Sequence, residues 1–129
     1  MRLLPATPML FTRVCSGAAT LGPHTLPQGT RVVLSPFITH RDPTLFAAPD
    51  RFDPARWERI TPSPWQYLPF GAGPRVCIGN HFALVEAQLI LAAWAQRFRF
   101  RLAQPAPVAL EPLMTLRPKG GVWVEPIAR

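Results

Sequence analysis

One segment of the chain is an uninterrupted run of helix-forming residues, and it gives the clearest pattern in the sequence. Between Gly79 and Arg97 there is no proline or glycine, and Ala, Leu and Gln, which favour helix, are frequent. Its apolar residues do not keep to one face, since Phe82 and Leu89 mark one side and Trp94 lies on another. A helix that is apolar nearly all round needs cover on most sides, and the rest of a 129-residue chain can hardly supply it.

Alternating and β-rich runs predict short strands elsewhere. The sequence RFRFRL, residues 97–102, alternates strictly and predicts a strand with phenylalanine inward and arginine outward. The run Arg31 to Ser35 follows a turn at residues 27–29 and is typical of the second strand of a hairpin. A second hairpin is predicted from Leu113–Arg117 and Val122–Glu125, joined by Pro-Lys-Gly-Gly.

Proline punctuates the other segments. Residues 1–25 are predicted to be irregular, and three Asp/Pro pairs between residues 42 and 54 predict a meandering loop with single helical turns. We expect three aromatic residues to pin this loop, namely Phe46, Phe52 and Trp57. With no internal repeat and no convincing linker, the pattern predicts an α+β fold in a single domain over residues 1–129.

Charge narrows the classes of partner. The net charge is +7, and Lys119 is the one lysine among 14 basic residues, so the rest are arginines. Such a balance suits nucleic acid, an anionic membrane, an acidic cofactor or an acidic protein. The arginines occur singly, with no basic run, which disfavours nucleic acid. No apolar run reaches the roughly 18 residues of a membrane span, so no membrane segment is expected in this chain.

Cysteine use is sparse. Cys15 and Cys77 lie far apart without a C-x-x-C pair, which does not indicate a disulfide framework or a zinc ribbon and favours a reducing, cytoplasmic location. Cys77 and His81 have i, i+4 spacing, but no further ligand stands at a usable distance, so a zinc site is disfavoured.

The stretch FGAGPRVCIG, residues 70–79, carries the most specific chemistry. Cys77 stands just before a predicted helix, whose dipole and free N–H groups favour a thiolate. The glycines remove side chains near the sulfur, Arg75 can bind a carboxylate, and Phe70 gives an apolar wall. A flat iron macrocycle with carboxylate arms meets all these requirements, and haem is the obvious candidate.

The same residues carry a family resemblance. The pattern F-x-x-G-x-R-x-C-x-G resembles the haem-binding signature of the cytochrome P-450 family; it is filled by Phe70, Gly73, Arg75, Cys77 and Gly79. HRDPTLFAAPDRFDPARW is similar to that family's meander, and LPQGTRVVL to the strand region before it. The resemblance implies a C-terminal portion of the cytochrome P-450 fold, with meander, cysteine loop, one long helix and small hairpins. The whole family fold is mostly α, and this chain would be a partial domain of it.

Site roles follow from the resemblance residue by residue. It makes Cys77 the axial ligand of the haem iron and Arg75 a propionate contact, with Arg13 as a second propionate arginine. It makes Arg56 the meander arginine, and Arg2 the arginine of an E-x-x-R motif whose glutamate would lie two residues before Met1. The oxygen-activating and substrate-selecting residues of the family have no counterpart here, so no catalytic residue beyond the haem ligand is named.

The implied function is that of a haem-thiolate monooxygenase, which oxygenates a small organic substrate with O2 and electrons from a redox partner. The expected partner is an acidic electron-transfer protein, a ferredoxin or flavodoxin-type reductase, which the basic balance suits. Two alternatives stay open: a truncated non-catalytic remnant that binds haem weakly or not at all, and a basic nucleic-acid binder. A membrane anchor upstream is compatible with all of this. Without the glutamate, we expect the isolated chain to be poorly stable.

Overall fold

The two halves of the chain form separate clusters of contacts in a computed structural model that describes residues 1–104 and 107–129. The first unit is Met1–Pro69 and the second is Phe70–Arg129. Helices and short antiparallel pairs occur together, so the α+β fold is confirmed. In the described part of the chain, no helix has the length and hydropathy needed to cross a membrane.

The first unit holds two small strand pairs and two short helices. Its elements are β1 (Arg13–Val14), β2 (Ala19–Leu21), β3 (His24–Leu26), β4 (Arg31–Val32), α1 (Pro36–Thr39) and α2 (Arg56–Arg59). β2 and β3 form a hairpin, and β1 pairs with β4 around it. The expectation that residues 1–25 are irregular was therefore wrong from Arg13 onward, because Gly22 adopts a φ of 57° and closes a hairpin.

The strand predicted over residues 31–35 is shorter than expected and has a different partner. β4 ends at Val32 and pairs with β1, which precedes the β2–β3 hairpin. Ser35 instead caps α1: its hydroxyl accepts a hydrogen bond from the Ile38 N–H at 3.3 Å and donates one to the Pro8 carbonyl at 2.8 Å. Proline at the first helical position, Pro36, also favours the helix start.

One of the three aromatic residues expected to pin the meander does so. Phe46 is fully buried, whereas Phe52 is 80% exposed. Trp57 is partly exposed and packs against Tyr67 with ring centroids 4.6 Å apart. The prediction for Phe52 was wrong, because the local backbone bonds are made around Asp42 and Asp53, and a flanking aromatic need not turn inward.

The second unit contains the longest helix and two further strand pairs. After a 3₁₀ turn at Gly73–Arg75 come α3 (Asn80–Arg97), β5 (Phe98–Leu102), β6 (Leu110–Pro112), β7 (Leu116–Pro118) and β8 (Val124–Ala128). The predicted helix is confirmed. None of its residues is buried, and Phe82 is 74% exposed, as the lack of cover led us to expect.

The predicted hairpin near the end of the chain was wrong in its pairing. β7 pairs with β6, which precedes it, and β8 pairs with β5 over five residue pairs. Gly120 and Gly121 both have positive φ, as a hairpin turn requires, but here they carry the chain from one sheet to another. The longer ladder with β5, which includes an Arg101–Glu125 ion pair at 2.5 Å, explains the choice. The prediction that the phenylalanines of β5 point inward was also wrong in part, because Phe100 is 46% exposed.

Candidate functional site

The backbone of the cysteine loop is shaped by two glycines in the left-handed region. Gly71 has a φ of 75° and Gly73 a φ of 69°, which a side chain at either position would disfavour. The loop closes on itself, since the Cys77 N–H donates to the Phe70 carbonyl at 2.8 Å and the Val76 N–H to the Gly73 carbonyl at 3.0 Å. These bonds fix the residue that carries the thiol.

Cys77 is exposed and stands at the start of α3. Its carbonyl accepts a hydrogen bond from the Asn80 N–H at 3.3 Å, and Gly79 occupies the N-cap position without a capping side chain. Within the first turn of α3, the His81 N–H donates to the side-chain oxygen of Asn80 at 2.6 Å, so a side chain of the helix itself occupies one of its first N–H groups. A Cβ built at Gly79 would lie 3.8 Å from Sγ, in ordinary van der Waals contact, so residue 79 lies directly beside the sulfur.

The donor set fits a macrocyclic iron cofactor better than a bare metal ion. Within residues 1–104 and 107–129 there is no group of three or more His, Cys, Asp or Glu side chains that could hold a metal. A single thiolate from the protein suffices for haem, because the macrocycle itself supplies nitrogen ligands to the iron. The exposed sulfur, the glycines beside it and the neighbouring cation are therefore compatible with haem.

The remaining predicted haem contacts divide between the two units. Arg75 ends the 3₁₀ turn two residues before the cysteine and is exposed, and its guanidinium makes no hydrogen bond to a described residue. Phe70 is half-buried at the start of the loop. Arg13 is exposed on β1 and belongs to the first unit, opposite Val32 in the strand register. The second unit thus contains the cysteine and four of the other predicted residues, and Arg13 belongs to the first unit.

The two predicted structural arginines are buried in the first unit. Arg2 and Arg56 are each 6% exposed. Arg2 donates from Nη1 to the His40 carbonyl at 2.6 Å and from Nη2 to the Arg51 carbonyl at 3.1 Å. Its guanidinium also lies 5.3 Å from the centroid of the Phe46 ring. Carbonyl oxygens, rather than carboxylates, satisfy this cation.

Arg56 is held in the same way by a strained piece of backbone. Its Nη1 donates to the Ala47 carbonyl and its Nη2 to the Ala48 carbonyl, the latter at 3.0 Å. Ala48 has a φ of 45°, and it is the only described residue other than glycine with positive φ. The Nε of Arg56 is buried without a partner among the described residues. One donor of a buried cation is therefore left over for an acceptor.

The charges around Arg2 also indicate that the buried arginines can bind a further acceptor. The pKa of Arg2 lies below its ordinary value, first because burial removes water and then because the cations Arg56 and Arg41 are near. Asp50 acts in the opposite direction but does not reverse it. A cavity of about 200 Å³ is lined in part by Arg2, Arg51 and Tyr67. An added carboxylate in this region would relieve the repulsion between the buried cations.

Sequence reasoning missed His40, which is fully buried beside this arginine pair. Its Nε2 lies 2.9 Å from the Leu68 N–H that donates to it, and its Nδ1 lies 3.3 Å from the Arg2 carbonyl. These partners require Nε2 as acceptor and Nδ1–H as donor, which is the neutral imidazole. Burial lowers the pKa of His40 below 6.5, which also favours the neutral form. Its position before Asp42-Pro43 marks a turn but gives no sign of these contacts.

Arg41, the next residue, was also missed. Its Nη2 donates to the Leu3 carbonyl at 2.7 Å and its Nε to the Asp50 carboxylate at 3.2 Å, while the guanidinium lies 3.8 Å from the centroid of the Phe37 ring. Arg2, Arg41 and Arg56 thus all bind backbone carbonyls of the first unit. A sequence signal exists only for the first and last of them, through motif resemblance.

Comparison with known proteins agrees on one family. The family model described as cytochrome P-450 matches residues 1–124. Cyclooctatin synthase of Streptomyces melanosporofaciens is 44% identical and human cytochrome P-450 4V2 is 36% identical, over 90% and 97% of this chain respectively. The chain spans about a quarter of the length of these curated relatives, 26% and 24%.

Solved structures give the same result for the fold. A six-coordinated cytochrome P-450 from Thermus thermophilus superposes with a TM-score of 0.81 at 43% identity, covering 97% of this chain and 34% of that one. The cyanobacterial CYP120A1, solved with retinoic acid bound, superposes with a TM-score of 0.91 at 28% identity, covering 99% of this chain and 31% of that one.

Proposed function

Because the chain belongs to the cytochrome P-450 family, we propose that it is the haem-binding part of a haem-thiolate monooxygenase acting on a small organic substrate. The observation that carries the proposal is the exposed Cys77 thiol in a loop with two left-handed glycines, directly before the start of α3. When bound, thiolate-ligated haem supplies oxygen activation. The residues of this chain would hold that group and tune its ligand.

Each residue of the loop has a distinct part in the proposal. Cys77 presents its exposed sulfur directly before the start of α3, with Gly79 beside it. The guanidinium of Arg75 bonds to no residue within 1–104 or 107–129 and can bind a propionate through charge-assisted hydrogen bonds, and Arg13 is proposed as a second such contact. Phe70 limits water near the sulfur, and Gly73 permits the tight turn that precedes it.

The two cysteines provide a matched test. Haem is titrated into the 129-residue chain and into the variants Cys77→Ala and Cys15→Ala, and the reduced protein is examined with carbon monoxide. The expected result is a thiolate-type spectrum for the unsubstituted chain and for Cys15→Ala, and its loss in Cys77→Ala, because only Cys77 lies in the glycine loop. The same spectrum in Cys77→Ala would contradict the proposal.

For the arginine pair we propose the role that the resemblance gives, with a carboxylate of an E-x-x-R motif as the missing acceptor. Two observations support it: the Nε of Arg56, which has no partner in the part of the chain that the structure describes, and the lowered pKa of Arg2. A peptide that carries this motif should raise the stability of the first unit, and the same peptide with Gln in place of Glu should do so much less. Equal stabilisation by both peptides would count against the carboxylate.

The electron donor is proposed to be an acidic protein of the ferredoxin or flavodoxin type. The net charge of +7 on this chain favours a negatively charged partner. In the haem-loaded protein, reduction by such a donor should slow as salt rises, because screened charges steer encounter less well. A rate that does not depend on salt would exclude electrostatic docking. A cytoplasmic location fits such a donor and stays a prediction.

A second candidate is a non-catalytic chain that binds haem weakly or not at all. The observation that favours it is α3, which has no buried residue and exposes Phe82, Leu89 and Trp94. Haem-binding residues next to a helix that has no buried residue would hold the cofactor loosely. Absence of any spectral change in the titration above, with the unsubstituted chain, would select this candidate.

A further inference from the structure

His40 connects the beginning of the first unit to the segment that leads into the cysteine loop. Its Nδ1 reaches the Arg2 carbonyl at 3.3 Å, and its Nε2 accepts from the Leu68 N–H at 2.9 Å, with a sequence separation of 28 between His40 and Leu68. The His40 carbonyl in turn accepts from Arg2 Nη1 at 2.6 Å. Three hydrogen bonds of this one buried residue therefore join segments that are distant in sequence.

The packing around the ring leaves it little freedom. His40 is fully buried and lies between Phe46 and Tyr67, with ring centroids 6.3 Å and 5.1 Å away. The cations that face it are Arg2, Arg41 and the amino group of Met1. A protonated ring would lose its acceptor for the Leu68 N–H and would stand among three positive charges. The neutral tautomer is therefore the form that keeps both bonds.

The chain between Leu68 and the cysteine loop is short and restricted. Pro69 has a fixed φ and no N–H, and it limits Leu68 to extended conformations. The next residue, Phe70, uses its carbonyl to accept the Cys77 N–H at 2.8 Å. The Leu68 N–H is thus the last backbone donor of the first unit before the loop, and its acceptor is a side chain.

We propose that His40 is a positioning residue: by accepting the Leu68 N–H it fixes residues 68–70, and so the carbonyl that anchors the backbone of Cys77. This assignment rests on the proposed function only in treating Cys77 as the residue whose placement matters. Its test is carried out without haem, so that failure of the haem proposal and failure of this one give different results.

Two substitutions of His40 test the hydrogen bonds of its two ring nitrogens separately. In His40→Gln the amide oxygen can take the place of Nε2 and accept from Leu68, whereas in His40→Asn the shorter amide can take the place of Nδ1 and reach only the Arg2 carbonyl. His24→Asn is the matched control, because His24 is exposed on β3. The measurement is amide hydrogen exchange at neutral pH on the full 129-residue chain.

Four amides report the outcome. Leu68 and Cys77 are the test amides, and Cys15 and Ala103 are the references, bonded to the Thr30 and Trp123 carbonyls at 2.9 Å and 2.8 Å. In His40→Asn, exchange at Leu68 and Cys77 should accelerate about 10-fold relative to the references, the factor for losing ~1.4 kcal/mol. In His40→Gln and His24→Asn both test amides should stay within about threefold of the unsubstituted chain.

Several results would overturn the assignment. Rapid exchange at Leu68 in the unsubstituted chain would show that the bond is not formed. Faster exchange at Leu68 but not at Cys77 would show that His40 acts only locally. Equally faster exchange at all four amides would show that it only stabilises the fold. Loss of protection in His40→Gln equal to that in His40→Asn would remove the role of the Nε2 acceptor. Nitrogen NMR gives an independent check, since a proton found on Nε2 rather than Nδ1 would also overturn it.

Discussion

The two units of this chain differ in how many of their side chains are buried. Every buried residue in the described part of the chain belongs to Met1–Pro69, whereas the second unit has none, although it contains the 18-residue helix α3. The first unit closes around few apolar groups, Phe46 and Leu68, with arginine and histidine side chains bonded to carbonyls. The second unit presents the thiol and a wide apolar surface. The buried side chains and the thiol proposed to hold haem therefore lie in different parts of the sequence.

The largest contrast should come from one phenylalanine in each unit. Phe46→Ala removes a fully buried ring and should lower the free energy of unfolding of the first unit by about 3–5 kcal/mol. Phe82→Ala truncates a ring that is 74% exposed on α3 and should change the free energy of unfolding by less than about 0.5 kcal/mol. Urea unfolding of both variants measures this, and similar losses would erase the contrast.

The buried cations should come next. Arg56→Met leaves the Ala47 and Ala48 carbonyls without their donor and should cost the first unit about 2–3 kcal/mol. Arg59→Met is the control, because Arg59 is exposed and its side chain bonds the carboxylate of Asp53 at 2.6 Å rather than a backbone carbonyl. It should cost less than about 1 kcal/mol. Limited proteolysis of the first unit reports both, and equal resistance of the two variants would contradict the role of Arg56.

Acid should weaken the first unit selectively. Because the pKa of His40 is lowered in the folded state, the unfolded chain binds its proton more readily, and stability is lost as pH falls below 6.5. Above that pH the contribution of His40 is fully present. Unfolding measured at about pH 7.5 and about pH 5.5 should show the loss, and His40→Gln should show less of it. An unchanged pH dependence in the variant would remove His40 as its source.

The smallest effect is expected at the surface of the second unit. The Arg101–Glu125 pair joins β5 and β8 at 2.5 Å, but the two side chains are 68% and 52% exposed. Arg101→Gln should lower the free energy of unfolding by at most about 1 kcal/mol, and raised salt should reduce the difference. A larger cost that salt does not change would mean that the pair lies in a more protected environment.

Sequence reasoning succeeded where one local signal decides the structure. α3 follows from the absence of glycine and proline, and the cysteine loop follows from residue types whose backbone requirements are specific, such as Gly71 and Gly73. Strand pairing could not be predicted. β8 pairs with β5, with which it forms a five-residue ladder, rather than with β7, and its own residues do not indicate which partner it takes. The partners of His40 lie up to 38 residues away, at Arg2, and no local pattern records them. Whether residues 1–129 fold as one domain stays a prediction.

Ala48 has a consequence for which sequences this site tolerates. Its φ of 45° places it in a region where β-branched residues are strongly disfavoured and glycine or asparagine is accepted. Its own methyl group is exposed, so the restriction comes from the backbone turn that presents two carbonyls to Arg56, and not from packing. Residue 48 is exposed and would be expected to tolerate many side chains, but the hydrogen bond from Arg56 to its carbonyl restricts it to residues that accept positive φ.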